Sequence, residues 1–179
     1  MQELKTFKQS ELVLKVNRAY NTNNLALCAW KPFIDRLCGN RWYQKEAIEN
    51  AIIFLASGQY NNLSQLGEYN YSQNSCLRDK YPSQEEFIKT LQMKEKLFAN
   101  IDLATGTGKS YVIYGIAQIA LGLGLVKRVL VLCPSLTIES GLTEKFKSLS
   151  GDAGLKSTLP ENAVFKNPSI VTVSHGTVW

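Results

Sequence analysis

The stretch LFANIDLATGTGKSY, residues 97–111, limits what this chain can become more than any other. An apolar run with the look of a strand leads into ATGTGKS, and a long apolar helix pattern comes after it. Gly106 and Gly108 carry no Cβ, so the backbone from Leu103 to Ser110 can turn tightly and converge its N–H groups on one anion. Lys109 is placed to bring a positive charge to the outer phosphates of a nucleotide. Ser110 offers a hydroxyl to the accompanying Mg²⁺, and the helix N-terminus adds its partial positive charge. The strict pattern G-x-x-x-x-G-K-[ST] is not met, because Leu103 stands at its first glycine. A plain Gly/Thr turn with a solvated lysine is the competing reading. The order strand, loop, helix and the whole set T-G-T-G-K-S favour nucleotide binding.

The residues after the loop predict an α/β fold with a parallel sheet. A helix is expected from Lys109 to about Leu123, apolar nearly all round and so covered on both faces. RVLVLCPS then reads as a buried strand halted by Pro134, with a second helix from Leu136 to about Leu149 and a third short strand, SIVTVS, at 169–174. Alternation of strand and helix is the pattern of a parallel sheet, and ligands bind such sheets at the carboxyl ends of the strands.

Upstream, LALCAWKPFIDRLCGN reads as a helix ending near Gly39, with Trp30 and Phe33 in the core. In the next helix Trp42, Ala47, Ile48, Ala51, Ile52 and Leu55 share a helical face that packs on something. Gln44 lies at its start. Its amide presents one donor and one acceptor, the complement of adenine's amino group and ring nitrogen; the alternative is a surface glutamine on a first turn. Residues 58–82 are polar and broken by Gly and Pro, and read as an irregular connection with one short helix at most. Ser83 and Glu86 have the spacing of a helix start, where Glu85 and Glu86 answer the helix dipole. ELVLKV, residues 11–16, is a short strand-like run with no assigned role.

Composition removes several classes. Hydrophobic residues make up 45% and charged residues 20%, an ordinary globular balance and not a disordered one. Four scattered cysteines and one histidine, His175, supply neither a metal site nor a disulfide framework, and a reducing cytoplasm is the default. The longest apolar run, Tyr111 to Val126, contains Gln118 and is short for a membrane span. A net charge of +5 suits an anionic partner such as nucleic acid, although the basic residues are scattered.

Taken together, RWYQKEAI, IDLATGTGKS and VLVLCPSLTIESGLTEKF resemble, in this order, the adenine-recognition motif, motif I and motif Ia of helicase superfamily 2 motors. Within that group they are most similar to the restriction (Res) subunit of type III restriction–modification enzymes, where an apolar residue commonly replaces the first Walker glycine. The resemblance implies an incomplete RecA-like P-loop domain at 41–179, an irregular insertion at 58–82, and a mostly helical N-terminal extension at 1–40. It also implies ATP with Mg²⁺, contact with DNA backbone, and a DNA-methyltransferase subunit as partner. Carried over residue by residue, Gln44 would read adenine and Lys109 would hold the β/γ-phosphates. Thr105, Gly106, Thr107, Gly108 and Lys109 would cradle phosphate oxygens through their amides, and Ser110 would ligate Mg²⁺. Pro134, Ser135 and Thr137 would meet a DNA phosphate, with Ser135 also serving as a helix N-cap.

Such a motor further needs an Asp-Glu motif on a later strand and an arginine from a second motor domain. The acids after Ser110 are Glu139, Glu144, Asp152 and Glu161, on expected helices and loops. The chain therefore reads as the amino-terminal piece of a motor, expected to bind nucleotide weakly and hydrolyse it barely, with no catalytic residue of its own. A non-hydrolysing nucleotide- or DNA-binding module and an inactive truncation are the alternatives.

Overall fold

The computed structural model describes residues 6–172, and among them the architecture is helical. The chain divides into two compact units. One comprises Asn50–Asp102 with the described part of Met1–Leu25; the other comprises Ala26–Glu49 with the described part of Leu103–Trp179.

The second unit holds the glycine loop and the residues expected around it. A short 3-10 turn, Leu27–Trp30, leads into α1, Lys31–Cys38, which starts with Pro32 in its first turn and stops at Gly39. Helix α2, Trp42–Ala56, belongs to this unit as far as Glu49. (Helices α3, Leu63–Gln73, α4, Ser75–Lys80, and α5, Gln84–Lys89, lie in the first unit.) After the glycine loop come α6, Lys109–Gly122, α7, Leu136–Gly151, and the short α8, Ala153–Lys156. The core is built from Trp30, Phe33, Ile34, Leu37, Ile48, Val112, Ile119 and Leu155, all buried.

Two glycines one heptad apart set the packing of α6. A Cβ at Gly115 would lie 2.6 Å from Ile48 and 2.9 Å from Leu37, and one at Gly122 would lie 2.1 Å from the Trp30 ring. Large side chains from α1, α2 and the 3-10 turn thus reach the helix backbone directly. The α6 C-terminus closes with Leu125 N–H on the Ala120 carbonyl and Gly124 N–H on Leu121, Gly124 taking positive φ. Val164 N–H then donates to the Gly122 carbonyl at 2.8 Å, and buried Gln118 donates to Phe165 O at 3.0 Å, pinning the distal loop to the helix.

In the first unit, the region expected to be irregular with one short helix carries two, α3 and α4. Asn62 and Asn74 cap them by accepting from Gln65 N–H and Cys76 N–H, while Leu63, Leu66 and Leu77 are their large apolar side chains that are fully covered. So few anchors hide a helical period in the sequence. Ser83 caps α5, as its spacing predicts. Leu14 and Val16 pack against Phe54, Tyr60, Leu63 and Leu66, yet ELVLKV forms no strand. Its backbone pairs with side chains instead: Asn70 accepts from Lys15 N–H and donates to Lys15 O, and Tyr60 Oη accepts from Asn17 N–H.

The predicted parallel sheet is overturned, and with it the RecA-like layering. No strand occurs among the described residues: neither 97–103 nor 128–134 joins a ladder, and the described part of 169–174 does not either. (Residues 173 and 174 lie outside the described range.) An apolar run is fit to be a strand but becomes one only when neighbours satisfy its backbone. Here Leu130 and Leu132 are 76% and 82% exposed, while Val131 and Cys133 are half-buried, so the segment alternates like a strand without the pairing of one. The burial expected of RVLVLCPS and the cover expected on both faces of α6 are corrected accordingly, since Ile113 is exposed as well.

Candidate nucleotide-binding loop

The glycine loop closes on one carbonyl. Ala104 O accepts from the Thr107 hydroxyl at 2.6 Å, from Thr107 N–H at 3.4 Å and from Lys109 Nζ at 3.4 Å. Gly106 and Gly108 both have left-handed backbones, φ +80° and +78°, a conformation that costs an L side chain about 1–2 kcal/mol. Gly108 is also the N-cap of α6, and no side chain caps that end. The N–H groups of Lys109 and Ser110 are left for an external acceptor, where the helix dipole favours an anion, while Tyr111 N–H turns back to Gly108 O at 3.0 Å.

Helix α2 presses its first turn onto this loop. Gln44 is fully buried, and its Nε2 donates to Thr107 O at 2.6 Å and to Gly108 O at 3.4 Å. Tyr43 Oη donates to the same Thr107 carbonyl at 3.4 Å. The approach depends on Gly108: a Cβ there would sit 2.7 Å from Gln44 Nε2 and 3.3 Å from the Tyr111 ring. Gln44 Oε1 is buried with no hydrogen-bond partner. Trp42, placed by its spacing on the packing face, turns outward instead and is 70% exposed.

Two cations border the loop through an aromatic ring. Arg41 and Lys145 lie 5.8 Å and 5.3 Å from the Tyr111 centroid, within cation–π range. One turn on, Tyr114 packs against Phe146 of α7, and burial pushes its phenol pKa up while a hydrogen bond with Ser150 opposes the shift. Cys38, buried in α1, has its thiol raised to about 11, mainly by desolvation.

A family model described as type III restriction enzyme, res subunit, matches residues 38–174. The chain belongs to that family. The part of the Res family that it matches takes in Gln44, the whole loop and the start of α7. No curated protein and no solved structure gives a significant match.

In this Res-family chain the structure joins Gln44 to Thr107 and Gly108, which sequence motifs alone leave 63 and 64 positions apart. Pro134, Ser135 and Thr137 stand apart at the exposed start of α7, where Ser135 accepts from Ile138 N–H at 3.4 Å as the N-cap. Tyr43, Arg41, Tyr111 and Lys145 are neighbours of the site that sequence reasoning missed. Arg41 and Tyr43 stand inside RWYQKEAI, Tyr111 follows the loop directly, and Lys145 lies within VLVLCPSLTIESGLTEKF, where the motif does not single it out. No His/Cys/Asp/Glu cluster fit for a metal occurs among the described residues, nor is any helix there long and apolar enough to cross a membrane.

Proposed function

We propose that this chain is the ATP-binding portion of an ATP-dependent DNA helicase or translocase of the type III restriction kind. The observation that carries this is the clamp of Gln44 on the Thr107 and Gly108 carbonyls, which unites adenine-reading and phosphate-binding motifs within the stretch matched to the Res family. The residues present fit ATP: the α6 N-terminus is uncapped, Gly108 lets the loop turn, and a buried acceptor on Gln44 lacks a partner.

In this reading Lys109 leaves Ala104 O for the β/γ-phosphates, and the amides of Thr105 to Lys109 cradle phosphate oxygens. Ser110 would hold Mg²⁺ through its hydroxyl, which suits a cation that keeps several waters and asks few protein ligands. Bound there, the ion would supply charge neutralisation at the phosphates. Pro134, Ser135 and Thr137 meet DNA backbone, giving position without sequence readout. A DNA-methyltransferase subunit is the protein partner this reading carries with it, and the cytoplasm its compartment.

The test is a thermal melt with and without Mg·ATP. Ligand at a hundred times its Kd stabilises a fold by about 2.7 kcal/mol. The parent chain should melt higher with Mg·ATP and Lys109→Ala should not; an equal rise in both removes the reading.

A further inference from the structure

We infer that residues 11–17 are an exchangeable strap, and that two copies of this chain associate by each laying its strap in the other's groove. In the first unit this segment sits as a bound peptide would. Leu12, Leu14 and Val16 are half-buried while Val13 and Lys15 are exposed, the alternation of an extended chain lying on a surface. Leu14 and Val16 pack on Phe54, Tyr60, Leu63 and Leu66. Three side chains read the backbone. Asn74 Nδ2 donates to Glu11 O at 2.7 Å, and Tyr60 Oη accepts from Asn17 N–H at 2.9 Å. Between them Asn70 accepts from Lys15 N–H at 2.7 Å and donates to Lys15 O at 2.9 Å. Among the described residues no backbone group of 13–17 meets another backbone group. The groove thus recognises an extended segment as a sheet edge would, with side chains standing in for the edge.

All of these contacts join the strap to residues within 54–74. Each can be made between two chains with the same geometry, which is the condition for exchanging an element between copies. The joint after the strap decides whether it folds back or crosses over. From Arg18 to Asn24 that joint has no buried residue, and it doubles back at its end. There Asn24 N–H donates to Asn21 O at 3.0 Å and Asn23 N–H donates to Asn21 Oδ1 at 2.9 Å. Folding back leaves one polar atom stranded. Gln59 Nε2 donates to Ala19 O in the joint at 3.1 Å, and Gln59 Oε1 is buried with no partner among the described residues. A buried acceptor without a donor destabilises the state that contains it, and straightening the joint returns this oxygen to water. The same groove contacts hold either strap, and the joint favours the crossed one. A second copy is also the occupant whose fit to the groove the structure itself displays.

The experiment is sedimentation of the full chain, parent and variants, over a range of concentrations. The parent should pass from monomer to dimer as concentration rises. Deleting Thr22 and Asn23 shortens the joint without touching strap or groove, and should tighten the dimer by about tenfold. A Gly/Ser insertion at the same point should loosen it. Complementation then separates exchange from any other dimer. Leu14→Asp keeps the groove and spoils the strap; Asn70→Leu keeps the strap and spoils the groove. Each alone should stay monomeric, while an equimolar mixture should form a dimer of one of each. A parent that is monomeric at every concentration would overturn the exchange, as would a dimer indifferent to joint length. So would a mixture that stays monomeric, or a dimer formed equally well by either variant alone, since another surface would then hold it. If Asn70→Leu does not fold, the joint variants still decide, because their strap and groove are those of the parent.

Discussion

Gln44 and Thr107, 63 positions apart, are joined by a 2.6 Å hydrogen bond from a buried amide to a backbone carbonyl. The bond makes the shape of the phosphate loop depend on the first turn of α2. Helix and loop are further locked by Tyr43 Oη on the same carbonyl. Gln44→Ala would leave Thr107 O with only the longer Tyr43 contact and open a cavity where the amide packed. A loss of about 1–3 kcal/mol is expected, read as a lower urea midpoint.

Gly106 and Gly108 look equivalent in T-G-T-G-K-S but should not behave alike. Both are left-handed, so alanine strains either one by about 1–2 kcal/mol. Only at Gly108 does the new Cβ meet something, Gln44 Nε2 at 2.7 Å, whereas Gly106 faces open space. Gly108→Ala should therefore be the less stable variant by about 1 kcal/mol, the worth of the displaced hydrogen bond. Equal melting temperatures for the two would show that the amide contact contributes nothing.

At the start of α7, Ser135 has two separable roles. As N-cap it holds Ile138 N–H, and Ser135→Ala should cost about 1 kcal/mol. Aspartate caps as well as serine but sets a carboxylate where a DNA phosphate would lie. Ser135→Asp should thus keep the parent melting temperature and lose affinity for duplex DNA, by the same factor on unrelated sequences. Fluorescence anisotropy would measure it, and parent binding should weaken as salt rises. Undiminished DNA binding by Ser135→Asp would remove this segment from the interface.

Local signals are legible from residues alone, and pairing is not. The end of α1, the limits of α6 and α7, and the capping roles of Ser83 and Ser135 come from short-range chemistry that operates within one turn. The glycine loop is legible for the same reason. The expected sheet fails because Leu130 and Leu132 have strand character, whereas a ladder needs a second backbone that no single run announces. ELVLKV misleads through a substitution of partners, with Asn70 and Tyr60 taking up backbone groups that another strand would have held. Lys145 lies within the stretch that resembles motif Ia, but its place beside the Tyr111 ring is a tertiary relationship that the motif does not announce.

Asn70 gives the clearest test of that substitution. Its buried amide accepts from Lys15 N–H at 2.7 Å and donates to Lys15 O at 2.9 Å and Leu66 O at 2.8 Å. Leucine fills the same volume and satisfies none of them. Asn70→Leu should destabilise the chain by about 2–3 kcal/mol and expose the segment around Lys15 to limited proteolysis. Parent-like resistance to trypsin at Lys15 would mean that the packing of Leu14 and Val16 suffices without the amide.

Cys38 should make stability depend on alkaline pH. Burial raises its thiol from the ordinary 9.0 to about 11, while nearby Lys45 and Arg41 pull only weakly the other way. Below pH 9 the thiol is protonated whether the chain is folded or not, and its contribution to stability is fully present. Between 9 and about 11 the unfolded chain releases the proton and the folded one retains it, so stability falls as pH rises through that window. Two units correspond to about 2.7 kcal/mol at most, which Cys38→Ala should abolish from the alkaline limb of a stability–pH profile. The same burial orders thiol reactivity: exposed Cys28 should react with a disulfide reagent at once, and Cys38 only as the chain unfolds. Rapid labelling of Cys38 under native conditions, or an alkaline limb unchanged in Cys38→Ala, would place that thiol outside the core.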